Sequence, residues 1–206
     1  MTRLCRVCVA VGFFLIYIAA MLTFVFVFGT NAELYRALQQ KYGVEEEHMQ
    51  EADDALAAYL RGDAHALENT DFFGERALHH MKDVYDLFAL LRRTMYALYA
   101  VGIPCVVIGW RRGNPHIAAG TASAAFLLCG GILCIWALAD FSGLFTLFHR
   151  IAFSNDLWLL PESELLIRIC PEGLFSDMLL RILLGTLCVV VAVPLASTLA
   201  RRRKFS

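Results

Sequence analysis

The sequence predicts an all-α membrane protein, with four transmembrane helices and a small extracytoplasmic cap formed by two polar, interfacial segments. Three observations carry this expectation. Of the 206 residues 59% are hydrophobic and the mean hydropathy is +0.59, above the roughly half-apolar make-up of soluble domains. Four apolar runs, at about residues 4–28, 87–110, 117–139 and 182–200, have the roughly 17–25 residues that cross a bilayer as a helix. Basic residues gather at Arg3/Arg6, Arg111/Arg112 and Arg201 to Lys204, whereas acidic residues crowd Glu33 to Asp86. Positive flanks belong in the cytoplasm, so both termini are expected inside and residues 29–86 and 140–181 outside.

The first run is longer than the roughly 7–15 apolar residues of a cleaved signal peptide and is followed at once by no small-x-small site, so it is expected to stay as an anchor. Within the outward segment, EEEHMQEADDALAAYLRGD repeats apolar residues at helical spacing: Met49, Ala52, Leu56, Tyr59 and Leu60. Acids at Glu45 to Glu47 suit a helix start and Gly62 a stop. A second helical stretch from Asp71 to Asp86 is expected to run on into the next span. There Arg92 and Arg93 either snorkel to the head groups or line a polar cavity, and Pro104 is a kink candidate. The turn RRGNPH is cytoplasmic by charge. In the third span, Gly120, Ala124 and Gly130–Gly131 offer close helix packing. Residues Phe141 to Leu160 show no clear period and are expected to hold short strands or turns. The fourth span ends on RRRK. No repeat or linker divides the chain, so one integral membrane domain is expected.

Several function classes drop out. The net charge of −1, with its basic residues spent on span flanks, gives no nucleic-acid surface. Six of the seven cysteines lie in or beside apolar runs and Cys170 stands apart, so no disulfide framework arises. Cys5 and Cys8 have CxxC spacing without the βαβ context of a redox motif. There is no GxSxG elbow, HExxH helix or phosphate loop.

Histidine acid–base chemistry remains. His80 with Asp83 three residues on forms a candidate base with its orienter. Glu75 stands in the same relation to His79, four residues on. His149 lies at the outer boundary of a span, within HRIAFSNDLWLLPESELLIRICPEGLFSD, where Asn155, Trp158, Arg168 and Glu172 are interleaved with apolar residues. Three of these have a structural alternative: Asn155 as a cap, Trp158 as a head-group anchor, Glu172 after Pro171 as a helix start. A metal held by His79, His80 and His149 is disfavoured, because adjacent residues point about 100° apart on a helix. No cofactor is expected.

These residues carry a resemblance. The first membrane anchor, YLRGD at Tyr59 to Asp63, ERALHHMKDV at Glu75 to Val84 and FHRIAFSNDLWLLPESELLIRICPEGLFSD at Phe148 to Asp177 resemble the bacterial lipoprotein intramolecular transacylases, small integral membrane proteins chiefly of Gram-positive bacteria. His80 and His149 match the family histidines. The resemblance implies a diacylated lipoprotein N-terminus as substrate, at a membrane lipid surface. The acyl chain on the glycerol 2-position would move to the molecule's own α-amino group, leaving the lyso form. The residues supply groups suited to that transfer: His80 as a base steered by Asp83, His149 as acid or oxyanion donor, and Arg168 or Asn155 as contacts to the ester or glycerol, with the division of acid and base between the two histidines left open. Two other classes stay open: a non-catalytic four-span protein recruiting an envelope partner through its acidic ectodomain, and a metal-assisted membrane hydrolase.

Overall fold

The computed structural model describes residues 3–68, 70–112 and 115–202, and among them every regular element is helical. Gly113 and Asn114 of the basic turn, and Arg203 and Lys204 of the basic tail, lie outside the described residues. The order is α1 (Arg3–Gly29), α2 (Ala32–Lys41), α3 (Met49–Arg61), α4 (Glu75–Arg112), α5 (His116–Ala139), α6 (Phe141–Ala152), α7 (Leu165–Ile169) and α8 (Glu172–Arg202). Four of them, α1, α4, α5 and α8, are long and apolar enough to cross a membrane. Contacts divide the chain into two compact units, residues 1–24, 92–135 and 182–206 in one and 25–91 and 136–181 in the other.

The first unit is built from pieces of α1, α4, α5 and α8. Val9, Phe13 and Tyr17 of α1 bury against Ala118, Ala119 and Ala122 of α5 and Val190 of α8. Buried hydroxyls here are paired, as an apolar environment demands. Ser123 donates to the Val190 carbonyl at 2.9 Å, so the Tyr17 hydroxyl, 3.0 Å from Ser123 Oγ, is the donor of that pair. Small residues do bring helices close, although not those expected from the sequence. Gly120, Gly130 and Gly131 have open space where a Cβ would sit, because α5 turns Ala118, Ala119 and Ala122 inward and these glycines elsewhere. The close approach is between α1 and α4 instead. A Cβ on Gly109 would lie 1.9 Å from Val9 Cγ2, and one on Gly102 would lie 2.9 Å from the Gly12 carbonyl oxygen. Large apolar side chains such as Leu128 and Ile135 are exposed on α5, as a lipid-facing surface requires.

The second unit holds α2, α3, α6 and α7 with the adjoining ends of α1, α4, α5 and α8. Ala52, Leu56 and Leu60 of α3 bury against Phe73, Ala77 and Met81 and against Leu165, Leu166 and Ile169 of α7. Gly62 stops α3 at φ 122°, a conformation that a side chain resists. α2 was not expected; Asn31 caps it by accepting from the Leu34 N–H at 3.1 Å.

Phe141 to Leu160 differs from its expectation of strands or turns. Its first twelve residues are the amphipathic helix α6, capped by Asp140, which accepts from the Gly143 N–H at 2.8 Å. One face exposes Phe148 and Ile151, the latter to 76%, while His149 is turned inward. Asn31, Asp140 and Gly62 are local signals, and α6 follows α5 with only Asp140 between them.

Candidate active site

α4 and α6 bring the two histidines together. Ala77 and, one turn on, His80 and Met81 of α4 point into the second unit, whereas the adjacent His79 is exposed. From α6, His149 enters the same place. The two imidazole centroids lie 6.1 Å apart with their planes at 36°, and each side chain is only 8% exposed.

Aromatic rings enclose the pair. Phe145 lies 4.2 Å from His149 by ring centroids, Trp158 5.0 Å, Phe148 5.3 Å and Phe153 5.6 Å. Phe153 also meets His80 edge-on at 5.1 Å, and Phe175 backs Phe145 at 5.3 Å. Phe145 and Phe153 are contacts that sequence reasoning missed. Their only signal was position: Phe145 and Phe153 stand four residues either side of His149, the spacing of one helical face.

His149 Nδ1 lies 2.8 Å from the Phe145 carbonyl oxygen. A carbonyl can only accept, so Nδ1 carries the hydrogen and the neutral ring keeps its lone pair on Nε2. Burial pushes the His149 imidazole below its ordinary value of 6.5, and the bond to the Phe145 carbonyl pulls part of the way back. His80 Nδ1, by contrast, is buried without a hydrogen-bond partner. An unpaired buried nitrogen is uncommon in a folded protein, and this one lies beside a second imidazole.

The expected supporting residues take different places. Asp83 does not bond His80; its Oδ2 accepts from Asn155 Nδ2 at 2.8 Å. Asn155 also caps its own turn, its Oδ1 accepting from the Leu157 N–H at 3.0 Å, so its cap role and its link to α4 coexist. Asp83, Phe153 and Asn155 line a cleft of about 270 Å³ together with Asp86. Trp158 is half-buried and lies against His149 with the ring planes tilted by 34°. Glu75 is exposed in the first turn of α4 and makes no bond with His79 among the described residues. Arg168 lies away from the histidines, because α7 buries Leu165, Leu166 and Ile169 and turns the guanidinium to Glu46, 3.1 Å away. Glu172 starts α8 and accepts from Ser142 Oγ at 3.2 Å, joining the starts of α8 and α6.

Among the described residues no group of three His, Cys, Asp or Glu is arranged to hold a metal ion. What the arrangement offers is proton transfer: one imidazole with a fixed tautomer, a second with an unused nitrogen, and walls that keep bulk water away.

Comparison with known proteins bears on the family and the fold. The family model of the lipoprotein intramolecular transacylase Lit matches residues 4–175. No curated protein matches the chain at a significant level. The crystal structure of the membrane-integral lipoprotein intramolecular transacylase of Bacillus cereus resembles it with a TM-score of 0.80 at 21% identity, over 99% of this chain and 98% of that one. A histidine-to-arginine variant of the same protein gives 0.76 at 20% identity over 98% and 94%. A histidine-to-alanine variant gives 0.77 at 20% over 99% and 96%. These likenesses speak for the fold, a multi-pass membrane protein. Matched over most of its length, the chain belongs to the lipoprotein intramolecular transacylase family and is an acyltransferase that works within one lipoprotein molecule.

Proposed function

We propose that His149 and His80 carry the acyl transfer, and that the transferred chain is the one on the glycerol 2-position of a diacylated N-terminal cysteine. Both reactants sit on one substrate molecule, so the protein's task is to fold the ester over the amine and move protons. His149 Nε2 takes a proton as the α-amino nitrogen attacks the ester carbonyl carbon. That proton passes to the neighbouring His80, which delivers a proton to the glycerol oxygen as the carbon–oxygen bond breaks, leaving an amide, a free glycerol hydroxyl and both imidazoles neutral again. This exchanges the roles first expected from the sequence, where His80 was the base. The exchange follows from the Phe145 carbonyl, which holds the His149 hydrogen on Nδ1.

The observation that carries the proposal is the 6.1 Å approach of the two imidazoles inside an aromatic enclosure. Water would hydrolyse the same ester, and the rings of Phe145, Phe148, Phe153 and Trp158 stand where that water would reach His149. Asn155 and Asp83, at the cleft beside Phe153, supply the polar contacts to the glycerol and amine. The positive flanks support a cytoplasmic position for both termini, with α2, α3, α6 and α7 on the opposite side of the bilayer. Membrane lipid then meets the exposed Phe148 and Ile151 of α6. The family assignment gives no support to a non-catalytic recruiting role.

The test is mass spectrometry of a lipoprotein N-terminus from cells expressing the chain or its His80→Ala and His149→Ala forms. The wild-type chain should give the lyso form, with one acyl group on nitrogen. An unchanged yield of that product from both variants would refute the histidine mechanism.

A further inference from the structure

Residues 153–164 are neither helix nor strand, yet they carry Phe153 and Trp158, two of the rings that enclose the histidines. A backbone without regular hydrogen bonding takes its course from whatever holds it from outside. Three polar contacts do so here, and each ends on the first turns of α4 or on the residue just before them. Arg76 Nη2 donates to the backbone carbonyl of Asp156. Asn155 Nδ2 donates to Asp83 Oδ2 at 2.8 Å. The Gly74 N–H donates to Glu164 Oε1 at 3.1 Å, where a Cβ on Gly74 would come within 2.7 Å of Glu164 Oε2.

Of the three, the Arg76 contact is made by a charged donor to the carbonyl two residues before Trp158. The hydrogen bond from His149 to the Phe145 carbonyl fixes one direction in the imidazole ring, but one bond leaves the ring free to rotate about it. Phe145 and Trp158, at 4.2 and 5.0 Å, supply the contacts that set its plane.

We infer that Arg76 is a positioning residue: by gripping the Asp156 carbonyl it sets the Trp158 indole against His149 and so orients the imidazole for proton transfer. The link to catalysis rests on the acyl-transfer mechanism proposed above, whereas the placement of the indole does not. Arg76 is exposed, so its replacement leaves the buried core of the second unit intact. Glu164 acts in the same sense at the far end of the loop.

The chain has three tryptophans, and Trp110→Phe with Trp136→Phe leaves Trp158 as the one indole. A protonated imidazole in contact quenches indole emission, so an acid titration of that emission reads the Trp158–His149 contact independently of activity. His149→Phe in the same background assigns the quenching by removing it. Arg76→Ala should lose at least about half of the quenching amplitude and about ten-fold in kcat, with little change in KM, the order expected of a small misplacement of a reacting group. Arg76→Lys, which restores a charged donor, should recover both, and Glu164→Ala should shift both in the same direction as Arg76→Ala. Full quenching in Arg76→Ala overturns the inference, whether or not activity falls. Loss of quenching in Arg76→Ala with no acyl transfer by the unsubstituted chain would uphold the positioning role and remove the proposed reaction.

Discussion

His149 donates its Nδ1 hydrogen to the carbonyl of Phe145, four residues earlier on the same helix, at 2.8 Å. The bond reaches back one turn along α6, and it decides which imidazole nitrogen can act as a base. His80, 6.1 Å away by centroids, has no such restraint on Nδ1. The pair is therefore asymmetric, and the asymmetry can be measured.

Conversion of a diacylated lipopeptide, followed by mass, should fall roughly 10²–10⁴-fold in His149→Ala and in His80→Ala, the usual worth of one proton-transfer group. His79→Ala is the control within the same turn. Its side chain is exposed and makes no contact with the pair among the described residues, so its rate should stay within about two-fold of wild type, since surface changes seldom matter.

The acidic limb of the kcat/KM profile should have its midpoint below the ordinary imidazole value of 6.5, because burial disfavours charged His149. Stability follows the same sign. Between the folded and unfolded values the unfolded chain binds the extra proton, so stability is complete above about 6.5 and declines as pH falls toward the folded value. Thermal unfolding in detergent should show this slope, reduced in His149→Phe. An equal slope in both proteins would contradict the burial argument.

Asn155→Asp should be worse than Asn155→Ala at pH 8. Alanine merely removes the donor to Asp83 and the acceptor for the Leu157 N–H. Aspartate sets a second carboxylate against Asp83, and like charges at hydrogen-bonding distance repel. Conversion rates of the two variants, measured side by side, decide this.

Asp53 offers a prediction about stability alone. It is 0% exposed on α3, burial raises its carboxyl to about 6, and Gln39 Nε2 donates to its Oδ1 at 2.8 Å. Gln39 Nε2 also donates to the Ile169 carbonyl at 3.0 Å, joining α2 to α7. Asp53 Oδ2 and Gln39 Oε1 are both buried acceptors without hydrogen-bond donors, and the Arg36 guanidinium approaches Asp53 Oδ2 only to 4.0 Å. In Asp53→Asn the new amide N–H can serve Gln39 Oε1 and the buried charge is gone. A carboxyl raised in the folded state contributes its full stability below its unfolded value and loses it as pH passes about 6. Asp53→Asn should therefore unfold a few degrees higher at pH 8, since about 1 kcal/mol moves Tm by roughly 2–4 °C at this size. The melting temperature near pH 4 should barely change.

In the other unit, Gly109→Ala should destabilise by about 1–3 kcal/mol, the usual cost of overpacking, because its Cβ would fall 1.9 Å from Val9 Cγ2. Val9 is β-branched and cannot swing that atom away cheaply. Val9→Ala combined with Gly109→Ala should recover most of the loss. Denaturant titration of the single and double variants reads the compensation.

Long elements were legible where one physical demand dominates. The spans α1, α4, α5 and α8 follow from apolar length, and the Ala52, Leu56 and Leu60 stripe of α3 from its period. α2 was hidden because LYRALQQK is short and half polar. α6 was hidden because its early Gly143 and its aromatic residues imitate a turn or a strand, while the Asp140 cap lies in a single residue. His80 and His149 were legible through their motifs, but the enclosure around them was not. In a chain this apolar, any phenylalanine reads as lipid-facing, and Phe145 or Phe153 cannot be singled out until the helix exists. Asp53 could have been found: Met49, Leu56, Ala57 and Leu60 lie four before and three, four and seven after it, which puts an acid on the apolar face.

The helix α6 fixes His149 by counting. From the Asp140 cap to His149 the chain has nine steps, each turning about 100°. One residue added or removed between them would swing the imidazole to the side now held by Phe148 or Arg150, leaving every side chain present and the two histidines facing different surroundings. The segment length thus stores positional information that composition does not, and an insertion at Thr146 should be far more damaging than most substitutions there.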